Sequence, residues 1–341
     1  MSKARELAEL GAVYDSGALS NRNILINGAM KIDQRNSGSS VTPTTLYSQY
    51  TLDRWTANFS QASKATVQQN AGSVTPPSGF ENYIGITQTG STYTPTSNDV
   101  FALNQYVEGE NISHLDFGKS TVKNLTVSFH VRSNVTGTYG IYITNSASNR
   151  IFVNSYTIDV ADTWEYKTVS ITGDTTGTWL TTNGVGFQFG FVFGAAGGKE
   201  TSPNAYNASA DYAPTGQTNI LGTSGGYFYV TGCQLEVGSE ATPFEHRLFG
   251  DELERCQRYF YKETYSSSGP YATQYVASHR MAFLFHPTTM RAVPTSTTSY
   301  SGGTMSEYQS TARHFKAYVA AQYDATGQNY LQTSYQADAE L

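Results

Sequence analysis

Cysteine is nearly absent. Two residues in 341 exclude a disulfide framework of the kind that staples small secreted domains. Charge is scarce too: Asp, Glu, Lys and Arg make up 14 % of the chain, against about 25 % in an average globular domain. Lys plus Arg number 21 against 27 Asp plus Glu, a net charge of −6 with no basic run. That excludes a nucleic-acid footprint and a polybasic membrane patch. The chain has no apolar stretch of about 18 residues and no signal peptide, so neither membrane insertion nor ordinary secretion is expected, and folding takes place in a cytoplasm. His114, His130, His246, His279, His286 and His314 are scattered, and no Cys-x-x-Cys, phosphate-binding loop or Gly-x-Ser-x-Gly elbow occurs. No cofactor, metal ligand set or catalytic residue is therefore assigned. A fixed-period repeat is missing as well, which argues against a β-helix.

What is abundant points the other way. The chain carries 31 Gly, 25 Tyr and 17 Phe, with Ser, Thr, Asn and Gln supplying its polarity. Thr, Tyr, Phe and Val fit a pleated, half-buried surface, while Gly, Asn and Ser make the turns between strands. Leu125, Val127, Phe129 and Val131 alternate with Thr126, Ser128, His130 and Arg132. Val185, Phe187, Phe189, Phe191 and Phe193 alternate in the same way with Gly186, Gln188, Gly190 and Val192. Tyr229, Thr231, Cys233, Leu235 and Val237 read as the inward face of a strand over 227–237. Antiparallel strands with one buried face build sandwiches or barrels. Residues 195–226 read as a polar surface loop.

Helical signals are confined to two places. In residues 2–10, Ala4, Leu7, Ala8 and Gly11 share a face; a helix this short is marginal alone and needs a docking partner. Asp251 and Glu254 match a capping box, with Leu253, Cys256 and Phe260 as the buried stripe. Strands resume over 271–285, about 294–300, Phe315–Tyr323 and near Tyr330–Tyr335, with turns at Gly302-Gly303 and Thr326-Gly327.

Asp159, Asp162 and Glu165 surround Trp164 at a turn, where a solvated turn is expected and a catalytic or calcium role is the alternative. Paired carboxylates for glycoside hydrolysis stay open, because folding alone brings such partners together. Among the aromatics, Trp55 and Trp164 are expected to anchor the core. Trp179, Tyr206, Tyr212, Tyr265 and Tyr271 lie beside strands or in polar loops, and are the candidates for contact with glycan or partner.

The stretch Asn21–Gly38 (NRNILINGAMKIDQRNSG), then Tyr50–Trp55 (YTLDRW), resembles the opening of a family of phage tail-fibre and related virion proteins of marine and cyanobacterial viruses. The preceding SKARELAELGAVYDSGALS is similar to the junction leading into it. The resemblance resumes at Cys233–Phe260 (CQLEVGSEATPFEHRLFGDELERCQRYF), at Met290–Thr295 (MRAVPT) and at the terminal ADAEL. Residues 56–225 match only in style, TWEYKTVSI and GDTTGTW being similar to jelly-roll carbohydrate-binding modules. The resemblance implies a homotrimeric virion appendage bearing a sugar-binding-like sandwich, and supplies no binding residues. Many such fibres carry a long attachment region ahead of this module; here the short N-terminus points to a small fibre, a tip protein or a decoration elsewhere on the particle.

The expectation is thus an all-β protein: a short N-terminal attachment helix (1–20), a jelly-roll β-sandwich resembling carbohydrate-binding modules (21–248), a linking helix (249–263) and a small C-terminal β unit (264–341). Leu7, Leu10 and Val13 would contact sister chains or another virion protein. The expected role is virion structure with adhesion to host surface polysaccharide, without enzymatic activity. The alternatives are a capsid or neck decoration, a purely architectural fibre, and a polysaccharide-cleaving enzyme.

Overall fold

The computed structural model describes residues 3, 21–44, 46–96, 98–264, 273–276, 279–300, 305–320 and 333–341. The expected N-terminal helix with Leu7, Leu10 and Val13 lies outside them, as do Tyr265, Tyr271 and the turns at 302–303 and 326–327. The chain divides into two compact units, Met1–Arg247 and Leu248–Leu341.

The first unit is a sandwich of two antiparallel sheets. One has seven strands in the order β1 (Gln49–Leu52), β2 (Trp55–Phe59), β5 (Val100–Glu108), β10 (Val185–Ala195), β7 (Gly137–Asn145), β8 (Ile151–Ile158) and β12 (Ala205–Asn207). The other has five, β3 (Ala65–Gln69), β4 (Ile84–Gln88), β14 (Tyr227–Val237), β6 (Leu125–Ser133) and β9 (Glu165–Ile171). Side chains alternate across each pleat, so the inward set from both sheets fuses into one core. Leu125, Val127, Phe129, Phe187, Phe189, Phe191 and Leu235 are all fully buried in it. Trp55 anchors it, stacked 6.2 Å from Phe191 with its indole N–H donating to the Asn27 carbonyl at 3.1 Å.

Residues 21–32 close the sandwich with asparagine side chains in place of ladder pairing. Asn23 donates to the Cys233 carbonyl at 2.9 Å and accepts from the Leu25 and Leu235 amides at 3.0 and 3.1 Å. Asn27, in left-handed backbone that Asn tolerates, donates to the carbonyls of Ile32 and Asp53 at 2.8 and 3.0 Å. The Glu245 carboxylate accepts from the Asn23 amide at 2.9 Å, and the Arg247 guanidinium donates to the Leu25 carbonyl at 3.1 Å. The NRNILIN, LDRW and QLEVGSEATPFEHR blocks thus meet in one polar cap. Their shared role is structural, since buried backbone groups need partners.

Two expectations about this unit are corrected. In β14 the inward face is Phe228, Val230, Cys233 and Leu235; Tyr229 and Thr231 face outward, and Val237 is exposed. A bulge between Thr231 and Gln234, with Gly232 at φ 63°, slips the alternation by one residue. The loop after β10 also does more than cross the surface. Its short parallel pair, β11 (Glu200–Thr201) with β13 (Ala213–Pro214), lays Ala213 over Val192, Ala102 and Val153 on the outer face of the seven-stranded sheet, while Ile220 and Leu221 join the main core.

The second unit opens with the helix Phe249–Gln257, whose N-cap is Leu248 rather than Asp251. Cys256 is buried and Leu253 half-buried, while Glu252 is buried on the same turn. Two small antiparallel sheets follow. One is β15 (Phe260–Thr264), β21 (Thr333–Asp338) and β18 (Thr295–Tyr300); the other is β16 (Thr273–Val276), β17 (His279–Phe285), β20 (His314–Ala320) and β19 (Met305–Ser310). Strand β19 has no counterpart in the sequence reading. Its alternating stretch MSEYQS is short and largely polar.

Candidate functional site

The outer face of the five-stranded sheet carries a group of aromatic side chains from several strands and loops. The β14 bulge sets it up: ahead of Gly232, Tyr227 and Tyr229 point away from the core and stack on each other at 4.2 Å with an interplanar angle of 22°. Tyr229 lies flat because β4 offers Gly85 beneath it; a Cβ there would fall 2.7 Å from the tyrosine ring. Tyr83 continues the row 5.1 Å from Tyr229, and Trp164 meets Tyr83 edge-on at 5.4 Å. The indole N–H of Trp164 donates to the Thr75 carbonyl at 2.9 Å, which fixes the ring in place. Trp164 is half-exposed, so the expectation that it anchors the core is replaced: it belongs to this outer shelf.

The shelf extends along β6. Phe80 lies across Gly232 and gathers His130 (5.3 Å), Phe244 (5.0 Å) and His246 (5.4 Å), with Tyr166 a further 5.1 Å from His130. Tyr166 is 54 % exposed and Trp164, Tyr227 and Phe80 are half-exposed, while Tyr83 and Tyr229 are buried, so ring surface meets solvent at the first four only. Arg132 sits 6.0 Å over the Tyr227 ring, and the Tyr227 hydroxyl donates to Asp162, whose backbone carbonyl also receives the Arg132 guanidinium. Burial pushes the Tyr227 and Tyr83 phenols above their usual range, with the bond to Asp162 adding to the rise at Tyr227, and burial holds His130 below the usual histidine value. The raised Tyr227 and Tyr83 phenols are neutral at neutral pH, and an Arg132–Asp162 ion pair lies at the rim. Such a surface offers apolar faces and directional polar groups together, the combination that holds a flat polyhydroxylated ring.

The acidic cluster is divided between two jobs. Lys167 binds Asp159 at 2.8 Å and Glu165 at 2.6 Å, and Glu165 accepts the Asp159 and Val160 amides, while Asp162 turns to Arg132. Among the described residues, no three His, Cys, Asp or Glu side chains converge to hold a metal ion.

Of the aromatic residues proposed from the sequence, the described ones, Trp179, Tyr206 and Tyr212, do not gather at the shelf. Trp179 is 7 % exposed, packed 4.7 Å from Phe117 with its indole N–H on the Thr176 carbonyl. Tyr206 is half-buried against Phe152, its hydroxyl donating to the Thr172 carbonyl at 2.8 Å and Arg150 lying 5.1 Å over its ring. That arginine forms a two-pronged pair with Asp174 at 2.6 and 2.7 Å. Tyr212 leans edge-on against Tyr142 at 5.0 Å on the opposite sheet. The shelf residues Tyr83, Tyr227 and Tyr229 escaped the sequence reading. The signal available was Gly232 inside an alternating strand, the mark of a bulge that reverses the faces.

No family model matches the chain, and no curated protein matches it. Among solved structures it is similar to the enzymatically active domain of tailspike protein 4 from bacteriophage CBA120, at 11 % identity over 54 % of this chain and 19 % of that one, with a TM-score of 0.31. The chain spans about a fifth of that tailspike domain. It is also similar to the family 11 carbohydrate-binding module of Clostridium thermocellum in complex with a β-1,3-1,4-mixed-linked tetrasaccharide, at 14 % identity over 60 % of this chain and 100 % of the module, with a TM-score of 0.29. TmCBM61 in complex with β-1,4-galactotriose shows 13 % identity over 64 % of this chain and 100 % of the module, TM-score 0.32.

Proposed function

We propose that the chain is a virion protein of a bacteriophage, a tail-fibre or fibre-tip component that holds host-surface glycan and has no enzymatic activity of its own. The aromatic shelf carries the binding half of this reading. Tyr227, Trp164, Tyr166 and Phe80 present half-open ring surface on one sheet face, with a neutralised Arg132–Asp162 pair at the rim. A pyranose stacks its C–H face on such rings while its hydroxyls turn to the polar rim. The virion half rests on the resemblance of the cap blocks to tail-fibre proteins, which also brings the homotrimer; attachment through residues 1–20 rests on the short helix-favouring stretch there, which needs a docking partner. Several weak shelves on one particle would raise avidity by roughly 10²–10⁴ without a strong single site.

Retention of the purified chain on immobilised host surface polysaccharide is the test. Trp164→Ala and Tyr166→Ala are expected to lose retention while the wild-type chain releases no new reducing ends. Unchanged retention in both variants would remove the shelf, and release of reducing ends would replace adhesion by cleavage.

A further inference from the structure

Resting on the reading of the shelf as a glycan site, we propose that Asp162 is its specificity-determining residue. It accepts the hydroxyls of neutral sugar units and turns away polymers that carry carboxylate or sulfate groups. Asp162 stands in the turn ahead of β9, two residues before Trp164, in the left-handed backbone that Asp tolerates. Two bonds pin that turn to β6. The Asp162 amide donates to the Ser133 carbonyl at 2.8 Å, and the Asp162 carbonyl receives the Arg132 guanidinium. The carboxylate is held as well: the Tyr227 hydroxyl donates to Oδ1, and Arg132 lies 3.8 Å from the same oxygen.

These contacts use Oδ1 and the backbone; among the described residues nothing donates to Oδ2. The Asp162 side chain is 61 % exposed and that of Arg132 only 19 %, so an arriving ligand meets the anion of the pair first. In the same turn Lys167 is shared between Asp159 and Glu165, and Asp159 is open as well. Three carboxylates against two cations leave the rim negative on its outward side. The exposed ring surface lies next to it. Tyr227 is tied to Asp162 by its hydroxyl, and Trp164 and Tyr166 flank the first residue of β9, an edge strand of the five-stranded sheet.

The rim chemistry sets the ligand class. An ionised carboxylate only accepts, and sugar hydroxyls donate to it in charge-assisted bonds roughly twice as strong as neutral ones. A carboxylate or sulfate on the ligand also only accepts, and it brings a second negative charge, so it meets repulsion with no bond in return. The rings are indifferent to that difference, because neutral and acidic pyranoses alike present a C–H face. Discrimination therefore falls to the rim.

Retention of the full chain on immobilised laminarin, mannan and β-1,4-galactan, which are neutral, and on alginate and carrageenan, which are acidic, tests the assignment. The wild-type chain is expected to be held by at least one neutral polymer and by neither acidic one. Asp162→Asn keeps the shape of the side chain, an oxygen for the Tyr227 hydroxyl and a residue at home in left-handed backbone. It is expected to weaken neutral retention by about tenfold. It should also gain retention on an acidic polymer, which a merely structural role for Asp162 would not produce. Acidic polymers holding the wild-type chain as well as neutral ones do would overturn the role of Asp162 and leave the shelf reading intact. So would neutral retention that Trp164→Ala abolishes and Asp162→Asn leaves untouched. A wild-type chain held by no neutral polymer would overturn the inference too, and the shelf itself is then judged by retention on host surface polysaccharide.

Discussion

Asp53 is the least comfortable charge in the first unit. It is wholly buried in the cap, and burial raises its carboxyl to about 6, against the opposing pull of Arg35 and the donors of Gln34 at 2.6 and 2.7 Å. A carboxyl raised on folding binds its proton more tightly in the folded state. Its contribution to stability is full below about pH 4 and is lost as pH rises through about 6, roughly 3 kcal/mol in all. Denaturant titrations should therefore show the wild-type chain losing stability relative to Asp53→Asn between those pH values, with a constant difference above; a flat difference throughout would show that Asp53 stays ionised. Asp99 works in the opposite sense. Burial would raise it, but bonds from Tyr93, Thr96, Gln61 and Ser60 carry it far below the usual range, so its stabilisation persists down to about pH 4 and fades only in stronger acid. Phe189, fully buried between two sheets, should cost about 3–5 kcal/mol when cut to Ala, read as a lower denaturant midpoint at unchanged slope.

The faces of β6 and of the middle of β10 were legible from the sequence; those of β14, with an inserted residue halfway along, were not. Residues 125–131 and 187–193 run without interruption on their inward side, and their faces follow from a period of two. In β14 the extra residue at Gly232 reverses the faces halfway, and that hid Tyr227 and Tyr229 from the reading of the site. Gly232→Ala should be costly on two counts. Its φ of 63° disfavours any side chain by about 1–2 kcal/mol, and the new Cβ would fall 2.6 Å from the Phe80 ring. Lower thermal stability together with a changed near-ultraviolet dichroism from the displaced rings is the expected outcome; an unaltered aromatic spectrum would show that Phe80 is not held by this glycine. The helix start was misread for a related reason. Asp251 looks like a cap by spacing alone, but the chain turns helical at Phe249, and Asp251 adds its negative charge within the first turn instead. The two shelf halves are likewise joined by folding and not by spacing, since Phe80, His130, Tyr166 and Phe244 come from four separate stretches of chain.

For the molecule as a whole, composition was enough to foresee a β-sandwich, because scarce charge and abundant Tyr, Phe, Thr and Gly leave few other ways to bury apolar surface. Which outer face would bear rings was beyond reach, since that depends on strand order. The proposed trimer of 37.2 kDa chains should give a native mass near three times that value; a monomer at micromolar concentration would sink the proposal. Deleting residues 1–15 should leave thermal unfolding of the sandwich nearly unchanged while incorporation into particles falls, and full incorporation would remove their attachment role. The cap has a consequence for how the protein is born. Asn23 finds its partners at Cys233 and Leu235, and Glu245 and Arg247 close over it, so the opening segment of this unit waits for its last part. At roughly 5–20 residues per second, that interval is on the order of ten to fifty seconds, during which strand edges stand open to wrong neighbours. Contacts of such sequence separation close slowly, so folding of the sandwich is paced by translation to its end, and a chain cut short before Arg247 is a candidate for aggregation rather than for a smaller folded protein.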